Sequence, residues 1–110
     1  MEIVLKDRGT CRYLGISGRL DATTSQDADA ALRGKLDDCK ALVIDLADLS
    51  YISSAGLRIL LIVAKQMQQH GGKVVICNLS ETVQEVFDIS GFSAIFNVCS
   101  DIPAAEAALI

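Results

Sequence analysis

The stretch "ALVIDLADLSYISSAGLRIL", Ala41 to Leu60, holds two patterns in succession. Ala41–Leu46 is an apolar run of strand length whose two faces both look covered, as in a parallel strand with helices packed on it. From Ser54 or Ala55 onward the apolar residues recur at helical spacing. Leu57, Leu60, Leu61, Ala64 and Met67 make one stripe, and Ile59, Ile62 and Val63 make a second, so this helix is apolar around much of its girth. It should stop at "HGG", where Gly71 is a natural terminator. A covered strand feeding an apolar helix predicts an α/β domain, and two adjacent serines, Ser53 and Ser54, mark the junction.

The flanking sequence repeats the alternation. Upstream, Glu2–Lys6 and "CRYLGIS", Cys11–Ser17, alternate as strands around a turn at Asp7–Thr10, which predicts an antiparallel hairpin. Gly18 should break the second strand. A helix follows, with "TSQD" at Thr24–Asp27 matching a capping box and Ala28, Ala31, Leu32 and Leu36 as its apolar stripe, closed by Asp37–Lys40. Downstream, "KVVICNL" is a strand, and "SETVQEVFDIS" is a short helix begun by Ser80 and ended by Gly91. Ala94–Val98 reads as a last strand. Pro103 suits the first turn of a final helix containing Ala104, Ala107 and Ala108, although the apolar tail "AAEAALI" would also serve association. The expected order is β-β-α-β-α-β-α-β-α, one α/β domain over residues 1–110, with right-handed crossovers after the hairpin. The C-terminal ends of strands 11–17, 41–46 and 73–78 should then meet at one edge, which puts Asp21, Ser53, Ser54 and Ser80 on candidate site loops.

Composition narrows the function. With 51% hydrophobic residues the chain is not disordered, and a net charge of −4 argues against nucleic acid as a partner. The 4 cysteines, Cys11, Cys39, Cys77 and Cys99, include no C-x-x-C pair, and the single histidine is His70. They read as buried thiols of a reducing compartment, the cytoplasm, rather than as zinc ligands. No metal or other cofactor is expected. No signal peptide is visible, and no apolar run approaches the ~20 residues of a membrane span, so membrane insertion is not expected either.

Two hydroxyls at a helix start have four readings. One serine caps the helix, but the second is not needed for that. A nucleophile is disfavoured: "SAG" lacks the first glycine of G-x-S-x-G, and His70 lies ~24 Å along the same helix at ~1.5 Å per residue. Anion binding lacks the glycines and the lysine of a phosphate loop. A regulated serine fits, because a phosphoryl group adds ≈ −1.5 to −2 charges at a spot where the helix dipole tolerates them and a docked partner does not.

The same residues carry a resemblance. "VIDLADLSYISSAGLRILL" resembles the signature of the STAS domain of bacterial anti-sigma factor antagonists. "ISGRLDATT" is similar to that family's G-x-L-D loop, and "GGKVVICNLSETVQEVFDISGFSAIFNV" to its strand, helix and closing strand. The resemblance implies partner switching. The unphosphorylated protein binds a serine kinase that is also an anti-sigma factor and so frees its client; phosphorylation breaks the complex, and a PP2C-type phosphatase resets it. Such a protein is a substrate, not an enzyme. Matching "D-S-[ST]-G-L" to Gly56 and Leu57 makes Ser54 the phosphoacceptor, with Ser53 as second choice. The usual aspartate before the acceptor is Ser53 here, and Ala55 follows it. Asp21 and Thr23 in the first loop, with Ser53, Ser54, Gly56, Leu57 and Arg58, are the expected partner contacts. The alternative function is a non-phosphorylated interaction module, or a subunit of a transport or scaffold complex.

Overall fold

The computed structural model describes residues 1–109. Elements follow in the order β1 (Glu2–Asp7), β2 (Arg12–Leu20), α1 (Ala22–Leu32), β3 (Ala41–Asp45), β4 (Leu49–Ile52), α2 (Ser54–Gln69), β5 (Lys73–Cys77), α3 (Glu81–Ser90), α4 (Phe92–Ile95), β6 (Asn97–Cys99) and α5 (Ile102–Ala108). The sheet runs β1-β2-β3-β5-β6. β1 is antiparallel to β2, and the remaining pairs are parallel, as the hairpin and the alternation predict.

Both faces of the central strands are covered. Leu42 and Ile44 of β3 join the larger core with Leu14, Leu60, Met67, Val83 and Phe87. Val43 points the other way and packs with Cys11, Val75, Cys77 and Ala105 under α5. This alternation within a continuously apolar strand is what a doubly covered sheet requires. The apolar tail therefore closes the second face as a helix; its last residue, Ile110, lies outside the described residues. Cys11, Cys39 and Cys77 are buried free thiols and Cys99 is half-buried. Burial pushes the Cys77 thiol up to about 12, so it packs as a small apolar group.

Four expectations need correction. First, β2 does not stop at Gly18 but runs to Leu20. Gly18 takes a left-handed φ of 81° at a shift of register, and the strand then continues against β4. Second, β4 was not foreseen. It is only four residues long, and it is held by parallel pairing of Leu20 with Ile52, by Gly18 N–H to Asp48 O at 2.9 Å and by Ser50 Oγ to Gly18 O at 2.9 Å. Third, α1 begins one turn before the expected box and ends at Leu32, so Leu36 is buried from the irregular segment that follows, while Ala31 is exposed. Fourth, the expected strand at Ala94–Val98 is the short helix α4 followed by β6. One helical turn brings Phe92 and Phe96 together on Phe87, with ring centroids 5.6–6.2 Å apart.

Candidate functional site at the C-terminal edge of the sheet

The two serines are not equivalent. Ser53 has extended backbone angles and is the N-cap of α2; its Oγ accepts the Gly56 N–H at 3.3 Å. Its own N–H donates to Leu20 O at 2.9 Å, which ties the start of α2 to the end of β2. Ser54 is the first residue of α2 and is exposed, and its hydroxyl has no hydrogen-bond partner among the described residues. One hydroxyl is thus committed to the fold and the other faces solvent. An aspartate, the residue usual before the acceptor in the resembling pattern, is also a good N-cap; Ser53 keeps the cap and drops the charge.

Asp21 sits on the loop joined to these serines through Leu20. It caps α1, accepting the N–H groups of Thr23 at 3.1 Å and Thr24 at 3.0 Å, while Thr24 Oγ1 accepts the Asp21 N–H at 2.9 Å. The capping box is therefore Asp21-to-Thr24, and Thr24 is its third helical residue rather than its cap. The Thr24 backbone N–H is the main reason the Asp21 carboxyl lies below the usual carboxylate range, with further lowering from the Thr24 hydroxyl, the Thr23 N–H and Arg19. Thr23 is exposed on the first turn of α1.

Of the other expected contacts, Arg58 is exposed on α2, one turn beyond Ser54. Gly56 and Leu57 are not available to a partner. A Cβ on Gly56 would lie 2.5 Å from Leu20 O, so this glycine is what lets α2 approach the end of β2 so closely. Leu57 is 5% exposed and belongs to the larger core. It lies on the inward side of α2, as its place in the first apolar stripe required. Ser80 lies at the same sheet edge, but its hydroxyl accepts the Val83 N–H at 3.2 Å and caps α3.

The second stripe divides. Ile59 and Val63 are buried, while Ile62 is 43% exposed. Ile62 lines a shallow groove between α1 and α2 with Ala22, Gln26, Asp29, Ala55 and Arg58, contiguous with the serine loop. Arg19, which sequence reasoning treats as scattered surface charge, lies 3.8 Å from an Asp21 carboxylate oxygen and 4.2 Å from the centre of the Tyr51 ring. That pairing depends on the register of β2 with β4, and nothing in the local pattern signals it.

Asp45 is structural. It ends β3 and accepts hydrogen bonds from Tyr13 Oη at 2.6 Å, Asn78 Nδ2 at 3.0 Å and Ala47 N–H at 3.0 Å. Burial alone would raise its pKa, but these donors together hold it below the usual range; burial, then this bond, pushes Tyr13 up to about 12. His70 lies at the far end of α2 as its C-cap, its ring against Cys39 O. Among the described residues no group of three or more His, Cys, Asp or Glu side chains is placed to hold a metal ion. Among the described residues no helix is long and apolar enough to cross a membrane.

Comparison with known proteins gives a consistent family. The STAS domain profile matches residues 2–105. BtrV of Bordetella bronchiseptica, a proposed anti-sigma factor antagonist, is 44% identical over 94 residues, which span 84% of this chain and 81% of BtrV. The crystal structure of an anti-sigma factor antagonist from Mycobacterium paratuberculosis superposes with a TM-score of 0.88 at 21% identity, covering 98% of this chain and 92% of that one. The Bacillus cell fate determinant SpoIIAA in its phosphorylated form superposes with a TM-score of 0.72 at 17% identity, covering 97% and 99%. With its mixed sheet, its covered faces and this match over nearly the whole length, the chain belongs to the STAS domain family.

Proposed function

We propose that this protein is an anti-sigma factor antagonist that works by partner switching, with Ser54 as its phosphoacceptor. The observation that carries the reading is the division of labour between the serines: Ser53 is spent on the helix cap, while Ser54 stands exposed with an unengaged hydroxyl. The similarity to BtrV over four-fifths of both chains supports the general role, and SpoIIAA exists in a phosphorylated form on the same fold. In this reading the unphosphorylated surface around Ser54, Asp21, Thr23 and Arg58 binds a serine kinase that is also an anti-sigma factor, in the cytoplasm. The kinase transfers the γ-phosphoryl group of ATP to Ser54 Oγ, the hydroxyl proton is lost and ADP departs. A PP2C-type phosphatase hydrolyses the ester: water attacks phosphorus, the bond to Ser54 Oγ breaks, Oγ regains its proton and inorganic phosphate leaves.

The physics of release is local. A group with ≈ −1.5 to −2 charges and three acceptor oxygens, placed inside a docked interface, must be desolvated against the partner. No refolding of the domain is required, because Ser54 makes no side-chain bond among the described residues that phosphorylation would break. Ser54→Asp should therefore weaken kinase binding at least tenfold, ~1.4 kcal/mol, with the circular dichroism spectrum and melting behaviour unchanged. Ser53→Asp should matter less. Equal kinase affinity for wild type and Ser54→Asp in a titration would overturn the assignment.

A further inference from the structure

We propose that Arg58 is the internal counter-ion of phosphorylated Ser54, so that phosphorylation both adds an anion to the docking surface and withdraws its free guanidinium. The inference rests on Ser54 being the acceptor and adds how the modified state is held.

Three observations lead to it. Ser54 opens α2 and Arg58 follows at i+4 on the same helix. Side chains so spaced are neighbours about 5–6 Å apart at Cβ, and helical side chains lean toward the N-terminus, so Arg58 leans over the turn that bears Ser54. An anion N-terminal to its cation is also the favourable order for such a pair. Second, Arg58 is exposed and enters none of the ion pairs or side-chain hydrogen bonds among the described residues. The other arginine of this edge is engaged: Arg19 lies against Asp21 and on the Tyr51 ring. Third, the nearby carboxylates do not compete for Arg58. Asp21 is committed to the start of α1, and Asp29, across the groove, is paired with Arg33 at 2.7 Å.

A phosphate dianion offers three oxygens to a planar guanidinium that can donate two parallel hydrogen bonds. In the unphosphorylated protein the same guanidinium is free to meet a carboxylate of the partner. Phosphorylation thus removes an attraction as well as adding a repulsion.

The test needs no kinase. Phosphoserine is incorporated at position 54 during translation, and its second ionisation, near 6 in a free phosphoserine, is followed by phosphorus NMR. The wild-type background should titrate about 0.4 unit lower than Arg58→Gln. Arg58→Lys should recover part of the difference, Arg19→Gln should leave the wild-type value unchanged, and about 1 M salt should shrink the difference. The same value in wild type and Arg58→Gln would overturn the proposal, as would a rise with Arg19→Gln alone. Either failure leaves the acceptor assignment standing, because that is decided by where phosphate is found in the cell.

Discussion

Replacing Ser53 with alanine leaves the Gly56 N–H in the first turn of α2 without its acceptor. The expected cost is about 1 kcal/mol in urea denaturation, whereas Ser54→Ala should stay within about 0.5 kcal/mol of wild type. The reverse ranking would show that the two hydroxyls have been assigned the wrong way round. Gly56→Ala should destabilise by about 1–3 kcal/mol, because its Cβ would meet Leu20 O, a backbone atom that cannot swing aside as a side chain can. Asp21 adds a pH signature. Its carboxyl is held below its unfolded value, so its contribution is present above about pH 4 and is lost as pH falls through the lower folded value. The melting temperature of wild type relative to Asp21→Asn should accordingly be constant near neutrality and fall progressively below pH 4. A flat difference down to pH 2 would mean that the cap does not depend on the charge. At this scale much was legible in advance: "SS" before a helical stripe announces one cap and one spare hydroxyl. Which serine does which is a matter of backbone angles, and the sequence alone left both as candidates.

Among the elements, α2 was the most legible and its partner-facing surface the least. Its two stripes foretell a helix buried on two sides, and Ile59 and Val63 are buried as that pattern requires. Ile62 escapes because it falls over the groove beside α1. Leu57→Ala should therefore act as a core truncation, costing about 2–5 kcal/mol in global stability. Ile62→Ala should leave stability within about 0.5 kcal/mol. A Leu57→Ala protein of unaltered stability would contradict its burial. β4 and α4 were missed for different reasons. Four residues of mixed polarity carry too little alternation to declare a strand, and β4 exists only because β2 passes through the kink at Gly18 to meet it. "SGFSAIF" carries apolar residues at a spacing that suits a short strand as well as one helical turn. The choice is made by Phe87, against which Phe92 and Phe96 gather.

For the whole molecule, the parallel order of β2, β3 and β5 brings the loop of Asp21 and the loop of the serines to one edge. β4 then fastens the serine loop to the end of β2, so Ser54 follows directly on a junction held by strand pairing and by the Ser53 N–H to Leu20 O bond. A phosphoryl group placed there changes the surface without touching either core, which is the condition for a switch that exchanges partners while the domain stays folded. The most direct measurement is intact-mass analysis of the protein isolated from its own cells under several growth conditions, with fragmentation to locate any addition of about 80 Da for a phosphoryl group. A Ser54 switch puts that addition on Ser54 in a fraction of the molecules. Phosphate confined to Ser53, or none under any condition, would contradict it.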